Sequence, residues 1–115
     1  MSAVPPAGQH LCALADIADP GARGFSFRDG DALFGGFVVR QGGAAFGYID
    51  RCPHAGWPLS MSPDQYLTLK GDRILCAGHG ALFTLDEGLC IGGPCGGRRL
   101  SPWPVAVVGG AVVTL

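Results

Sequence analysis

Apolar and polar side chains alternate through Gly24-Phe25-Ser26-Phe27-Arg28, the two-residue period of a strand with one covered face. Asp29-Gly30 follows as a hairpin turn signal. Leu33 to Arg40 is the next apolar run, and its Gly35-Gly36 pair predicts a bulge. Gln41-Gly42-Gly43 turns the chain again, and Ala45 to Asp50 forms a third strand that leads directly into Arg51-Cys52. Upstream, His10 to Leu14 reads as a short first strand. Alternatively, Leu14 to Ala18 makes a brief turn of helix before Asp19-Pro20-Gly21. Residues 1–8 read as a disordered or loosely attached arm.

The second half repeats this grammar. Tyr66 to Lys70, Gly71-Asp72 and Arg73 to Cys76 have a hairpin pattern that delivers Cys76 from a strand end. Ala81 to Leu85 is a short strand, Asp86-Glu87-Gly88 a turn and Leu89 to Ile91 another strand. Val105 to Val108, Gly109-Gly110 and Ala111 to Leu115 form a terminal hairpin, apolar enough to require packing in the core. No long helical period, repeat or linker interrupts the strands. The prediction is an all-β chain of antiparallel strands, a single domain spanning residues 1–115.

Composition agrees and excludes several functions. The 20 glycines and 9 prolines, about a quarter of 115 residues, suit short strands and many turns. Charged residues are 15% and the net charge is −1, with no basic stripe, so nucleic acid is not an expected partner. No apolar run approaches the roughly 20 residues that span a bilayer. Met1 to Gly8 lacks a charged and an apolar signal region, so the expected location is cytoplasmic.

The chemistry gathers between Arg51 and Gly80. Cys52-Pro53-His54 stands at one end and Cys76-Ala77-Gly78-His79 at the other, with 21 residues between His54 and Cys76. Two Gly/Pro-flanked loops, each with one thiol and one imidazole, form a metal-ligand set. One candidate centre is a tetrahedral zinc with two sulfur and two nitrogen ligands, which would make the chain a metal-stabilised interaction module. The other is a 2Fe-2S cluster in which two cysteines hold one iron and two histidines the other. Zinc fingers usually group their cysteines on one knuckle and their histidines on a helix. Here each loop carries one of each, which favours the cluster.

The pattern Cys-x-His…Cys-x-x-His resembles the Rieske signature, and the resemblance extends beyond the four ligands. Cys52-Pro53-His54-Ala55-Gly56-Trp57-Pro58-Leu59 is similar to the first cluster loop and Cys76-Ala77-Gly78-His79-Gly80-Ala81-Leu82-Phe83 to the second. Gly93-Pro94-Cys95-Gly96-Gly97 resembles the proline loop that covers the cluster. The match is specific from about Arg51 to Pro104. The gap between the loops is longer than in many Rieske ferredoxins, with Met61 to Gln65 as the extra loop.

The resemblance implies an antiparallel β-sandwich base with a small cluster-binding subdomain at about residues 51–97, and one 2Fe-2S cluster per chain. Cys52 and Cys76 would bind as thiolates, His54 and His79 through neutral imidazoles. Two ferric ions, two sulfides and two thiolates sum to a neutral oxidised site and a −1 reduced site. An all-cysteine site would start at −2 and accept an electron less readily. Potentials accordingly move from about −400 mV in plant-type ferredoxins to roughly −150 to +300 mV in Rieske centres.

High-potential relatives carry a serine two residues after the second ligand histidine and a tyrosine two further on, and a disulfide braces their loops. Here those positions are Ala81 and Phe83, and neither Ala55-Gly56-Trp57 nor Ala77-Gly78 offers a cysteine. The implied potential is therefore low. The histidine side faces solvent in this family. That implies electron transfer through the edge of His54 or His79, and a potential that falls at high pH as a bound imidazole loses its second proton.

The implied function is one-electron transfer, from a flavin-dependent reductase to an oxygenase or similar terminal enzyme, with no catalysis by the chain itself. It is too short for a mononuclear-iron domain and has no second His-His-carboxylate set. A fixed subunit of a larger reductase, of the nitrite reductase small-subunit type, and a redox-sensing subunit are the alternatives.

The remaining residues of note have blander readings. Trp57 and Pro58 shield the cluster or fill the core, Pro94 covers it or simply turns, and Trp103 is a core or edge residue. Cys90 and Cys95 read as inert, partly buried thiols rather than as a disulfide, since unpaired cysteine behaves as a small hydrophobe. Cys12 and His10 have no assigned role, and Arg98 and Arg99 read as a solvated strand face or a docking patch.

Overall fold

A computed structural model of the chain describes residues 5–51, 66–68, 70–76, 80–93 and 97–115. Nine strands lie in three antiparallel three-stranded sheets, with a single 3-10 turn at Leu14–Asp16 among the described residues. The first sheet runs in the order β1 (His10–Ala13), β9 (Ala111–Thr114), β8 (Val105–Val108). The second is a meander of β2 (Gly21–Asp29), β3 (Ala32–Gln41) and β4 (Ala44–Ile49). The third is another, of β5 (Ile74–Leu75), β6 (Leu82–Phe83) and β7 (Cys90–Gly92).

The strand β3 is the middle of the molecule, because its two faces feed two different cores. Phe37 and Val39 point into one, with Tyr48, Tyr66, Ile74, Cys76, Ala81, Phe83, Leu85, Cys90 and Leu100. Phe34 and Val38 point into the other, with Cys12, Ile17, Trp103 and Val112. This is why Phe37-Val38-Val39 reads as a continuous apolar run rather than an alternation: all three are fully buried. The third sheet therefore rests on one face of the second, and the first sheet covers the other face.

Both turn signals in the meander act as expected. Asp29 pairs with Ala32 across Gly30-Asp31, and Gln41 with Ala44 across Gly42-Gly43. Gly30 and Gly42 supply the positive φ that a tight hairpin needs, at 61° and 62°. The terminal hairpin turns through Gly109 and Gly110 in the same way. Its β9 is the packed member, with Val112 and Thr114 buried, while Val108 of β8 is exposed.

Two expectations are corrected. The Gly35-Gly36 pair makes no bulge, since β2 and β3 stay in continuous register from Gly21↔Arg40 to Asp29↔Ala32. Gly36 serves close approach instead: a Cβ there would stand 2.6 Å from Cε3 of Trp103. That indole is 4% exposed and meets the rings of Phe25, Phe27 and Phe34 edge-on, at centroid distances of 6.0, 6.2 and 5.1 Å. It is a core residue.

The second correction concerns the N-terminal arm. Residues 1–4 lie outside the described residues, but Pro6 to Gly8 are fastened to the last strand. The Gly8 amide donates to the Thr114 carbonyl at 2.8 Å, and the Thr114 hydroxyl donates to the Pro6 carbonyl at 2.6 Å. The helix-turn and first-strand readings of residues 10–18 both hold, in sequence: β1 ends at Ala13 and the 3-10 turn begins at Leu14. No helix among the described residues is long and apolar enough to cross a membrane.

Candidate metal centre

Of the four ligands expected from sequence, Cys76 is described; Cys52, His54 and His79 lie outside the described residues. The described residues show the frame that leads to Cys52 and holds Cys76. The strand β4 runs out at Ile49, whose amide donates to the Ser101 carbonyl at 2.9 Å. Beyond it, the Asp50 amide donates to the Gly35 carbonyl at 2.9 Å and the Arg51 amide to Ile49 at 2.8 Å. Cys52 follows immediately in sequence.

Cys76 stands one residue past β5, as the hairpin pattern predicts. Its amide donates to the Ala81 carbonyl at 2.9 Å, and its own carbonyl accepts the Gly80 amide at 2.9 Å. These two bonds hold Cys76 against Gly80 and Ala81 as the base of a knuckle, with Gly80 at φ +72°. The third loop, which begins at Gly93, starts beside this knuckle. Gly93 lies so near it that a Cβ there would be 2.7 Å from the Ala81 Cα. The far side of that loop returns through Gly97, whose amide reaches the Cys90 carbonyl at 3.4 Å, and Arg98, whose carbonyl accepts the Cys90 amide at 2.8 Å. Pro94 and Cys95 lie outside the described residues, as do Trp57, Pro58 and the extra loop at Met61 to Gln65.

Cys76 is 1% exposed and belongs to the core shared with Ile74, Ala81 and Phe83. A thiolate in apolar surroundings is strongly disfavoured unless a cation takes its charge. The same burial that makes Cys76 a poor reactive thiol suits a metal-bound sulfur. Among the described residues no three His, Cys, Asp or Glu side chains gather into a metal-binding group, because a single member of the expected set is among them. The donor set of the sequence, two thiols and two imidazoles with one thiol held on a clamped, apolar knuckle, fits a 2Fe-2S centre.

Ala81 and Phe83 are both fully buried beside Cys76 in this core, so neither position presents a hydroxyl there. Among the other cysteines, Cys12 is buried, and burial pushes its thiol above the ordinary range. Cys90 is buried too, and its Sγ donates to the Gly92 carbonyl at 3.2 Å. Cys90 fits the reading of an inert, buried thiol; Cys12, to which sequence assigns no role, is buried as well. Arg99 pairs with Glu87 at 3.5 Å with both side chains largely exposed, a solvated contact worth little.

Sequence reasoning missed two polar residues of the frame. The Tyr66 hydroxyl donates to Asp50 Oδ2 at 3.1 Å. The buried Tyr48 hydroxyl donates to the Leu85 carbonyl at 2.7 Å, where burial first, then Asp86 and Glu87, push its pKa well above the ordinary phenol value. No local signal marks either hydroxyl; Gly24, whose Cβ would stand 2.7 Å from the Tyr66 hydroxyl, carries one only once the fold is known.

Comparison with known proteins follows this geometry. The family model described as Rieske [2Fe-2S] domain matches residues 9–108. No curated protein matches the chain. Among solved structures, the chain is similar to one in the complex of reduced oxygenase and oxidized ferredoxin in carbazole 1,9a-dioxygenase. The identity is 29% and the TM-score 0.66, with 90% of this chain and 96% of that one covered. The ferredoxin of carbazole 1,9a-dioxygenase from Nocardioides aromaticivorans IC177 shares the fold, at 21% identity and TM-score 0.71 over 95% and 97% of the two chains. So does the Sphingomonas yanoikuyae B1 ferredoxin, at 22% identity and TM-score 0.66 over 93% and 96%.

Proposed function

Because this chain belongs to the Rieske 2Fe-2S domain family, we propose that it is a stand-alone ferredoxin whose cluster is held by Cys52 and Cys76 on one iron and His54 and His79 on the other. When bound, the cluster takes up and releases one electron at a time. The chain's own residues position and insulate it. The cysteines bring thiolates from two strand ends, the histidines bring neutral imidazoles, and the buried core around Cys76 keeps water from its sulfur. The whole of residues 1–115 acts as one domain, with residues 51–97 as the cluster-binding part. With Ala81 and Phe83 offering no hydroxyl, the potential belongs at the low end of the Rieske range.

The electron comes from a flavin-dependent reductase and goes to an oxygenase or similar terminal enzyme, in the cytoplasm. The chain catalyses nothing itself. The observation that carries this reading is the clamped knuckle with buried Cys76, inside a family match that spans almost the whole chain. The end-to-end similarity to a chain in a solved complex of oxygenase and ferredoxin supports the choice of acceptor. The test is a reductive titration followed by mixing with a Rieske-type oxygenase. The carrier takes up one electron per chain and is reoxidised when the oxygenase is present. Uptake of two electrons, or product formation by the chain alone, contradicts the proposal.

A further inference from the structure

The two strand ends that lead to the cysteines belong to different sheets: β4 runs toward Cys52, and β5 toward Cys76. Tyr66 bridges them. Its carbonyl accepts the Leu75 amide at 2.9 Å, one residue before Cys76. Its hydroxyl donates to Asp50 Oδ2 at 3.1 Å, two residues before Cys52. The ring lies flat on Phe37, with centroids 4.3 Å apart and planes 6° from parallel, and the residue is 6% exposed.

The sheet position beneath the Tyr66 hydroxyl carries no side chain. Gly24 pairs directly with Phe37, and a Cβ there would stand 2.7 Å from the Tyr66 hydroxyl. At Gly35, two residues before Phe37 on the same face, a Cβ would be in ordinary contact with the Asp50 Cβ at 3.7 Å, so the requirement for glycine lies at Gly24. Gly24 thus leaves open the space that the Tyr66 hydroxyl occupies beside Phe37. Glycine weakens a strand unless close approach requires it. Here a specific hydroxyl position requires it.

We infer that Tyr66 is a positioning residue that sets the separation of the two cysteine-bearing strand ends, with Gly24 holding its hydroxyl in place. The inference rests on the reading that Cys52 and Cys76 share one iron. A thiolate pair spaced by a rigid cross-tie holds that iron in one geometry. Without the tie, the main-chain bonds of Ile49, Asp50 and Arg51 still hold the first strand end, but this side-chain link between the two ends is gone.

The experiment compares holoprotein variants by the rate at which a ferrous chelator removes iron, alongside the EPR spectrum of the reduced protein and its thermal midpoint. Tyr66→Phe keeps the stacked ring and removes the hydroxyl; Gly24→Ala displaces it. Both are expected to release iron about tenfold faster and to shift the g values, in line with the loss of one hydrogen bond to a carboxyl group. Asp50→Asn, which keeps an acceptor oxygen, restores the slow release. Asp50→Ala adds nothing further to Tyr66→Phe, since the two act as one unit. Tyr48→Phe is the control: Tyr48 lies beside the last residue of β4, but the hydroxyl it loses reaches the Leu85 carbonyl in the same core and not Asp50 or the β5 end. It lowers the midpoint and leaves the release rate alone. If Tyr66→Phe releases iron no faster than Tyr48→Phe, the tie is only structural and the inference is overturned. The metal and sulfide content of the unmodified protein judges the ligand reading separately.

Discussion

Gly93 and Gly97 flank the third loop with nearly the same backbone, at φ +85° and +81°, yet replacing them with alanine should have unequal consequences. Either substitution forces an L-residue into the left-handed region, at about 1 kcal/mol. A Cβ at Gly97 meets nothing within 4 Å. At Gly93 it would lie 2.7 Å from the Ala81 Cα, 3.1 Å from the Ala81 nitrogen and 3.2 Å from the Gly80 oxygen. All three are main-chain atoms of the knuckle, and none can swing aside as a side chain would. Overpacking of this kind adds about 1–3 kcal/mol, for a total of about 2–4 kcal/mol. An unfolding entropy of about 2.1 cal/mol/K per residue, over 115 residues, makes each kcal/mol worth about 4 °C. Gly97→Ala should lower the thermal midpoint by about 4 °C and Gly93→Ala by about 8–16 °C. The assay is thermal unfolding by circular dichroism at one fixed scan rate, since loss of a cluster makes the transition irreversible. Iron per chain is measured on the same samples, and should fall for Gly93→Ala alone. Equal midpoints for the two variants would refute the claim that the third loop bears on the Cys76 knuckle.

Three further predictions address separate parts of the molecule. Ala81→Ser adds a hydroxyl beside the Cys76 knuckle and should raise the reduction potential by about 40 mV for each kcal/mol by which the new bond favours the reduced state; an unchanged potential in a redox titration removes Ala81 from the sulfur's neighbourhood. Tyr48→Phe leaves the Leu85 carbonyl without its phenol donor and should cost about 1–3 kcal/mol at neutral pH. Because the folded phenol has its pKa raised above 10.0, its contribution is fully present below that pH and is lost as pH climbs toward the folded value. The unmodified protein should therefore lose stability more steeply above about pH 10 than the variant does, as read from midpoints at stepped pH. Gly36→Ala drives a methyl to 2.6 Å and 2.8 Å from two Trp103 ring atoms and should destabilise by about 1–3 kcal/mol; a midpoint at or above that of the unmodified protein would show that the indole can retreat.

What could be read from the sequence was whatever is decided locally. Alternation in Gly24 to Arg28, and the turn chemistry of Asp29-Gly30, Gln41-Gly42-Gly43 and Gly109-Gly110, place the hairpins correctly because positive φ at a turn is a property of a few adjacent residues. Cys76 emerges from a strand end for the same reason. Gly35-Gly36 misled because a glycine pair signals a bulge and a close approach alike. The approach that decides it comes from Trp103, far along the chain. The arm at Pro6 to Gly8 misled similarly, since Thr114 holds it from the other end of the sequence. The Tyr66–Asp50 tie was beyond a linear reading, since its participants, Gly24, Asp50 and Tyr66, lie on three separate segments. The ligand set came from spacing, with each cysteine paired to a histidine in its own loop.

The central claim is that this chain carries a histidine-ligated 2Fe-2S centre, and the most direct test is the EPR spectrum of the freshly purified, dithionite-reduced protein, quantified against its iron and acid-labile sulfide. The account predicts two irons, two sulfides and one unpaired spin per chain, with the lower average g value that imidazole ligation confers. Stoichiometric zinc without sulfide and without a signal, after anaerobic preparation, would contradict it and leave a small β-protein held together by a structural metal.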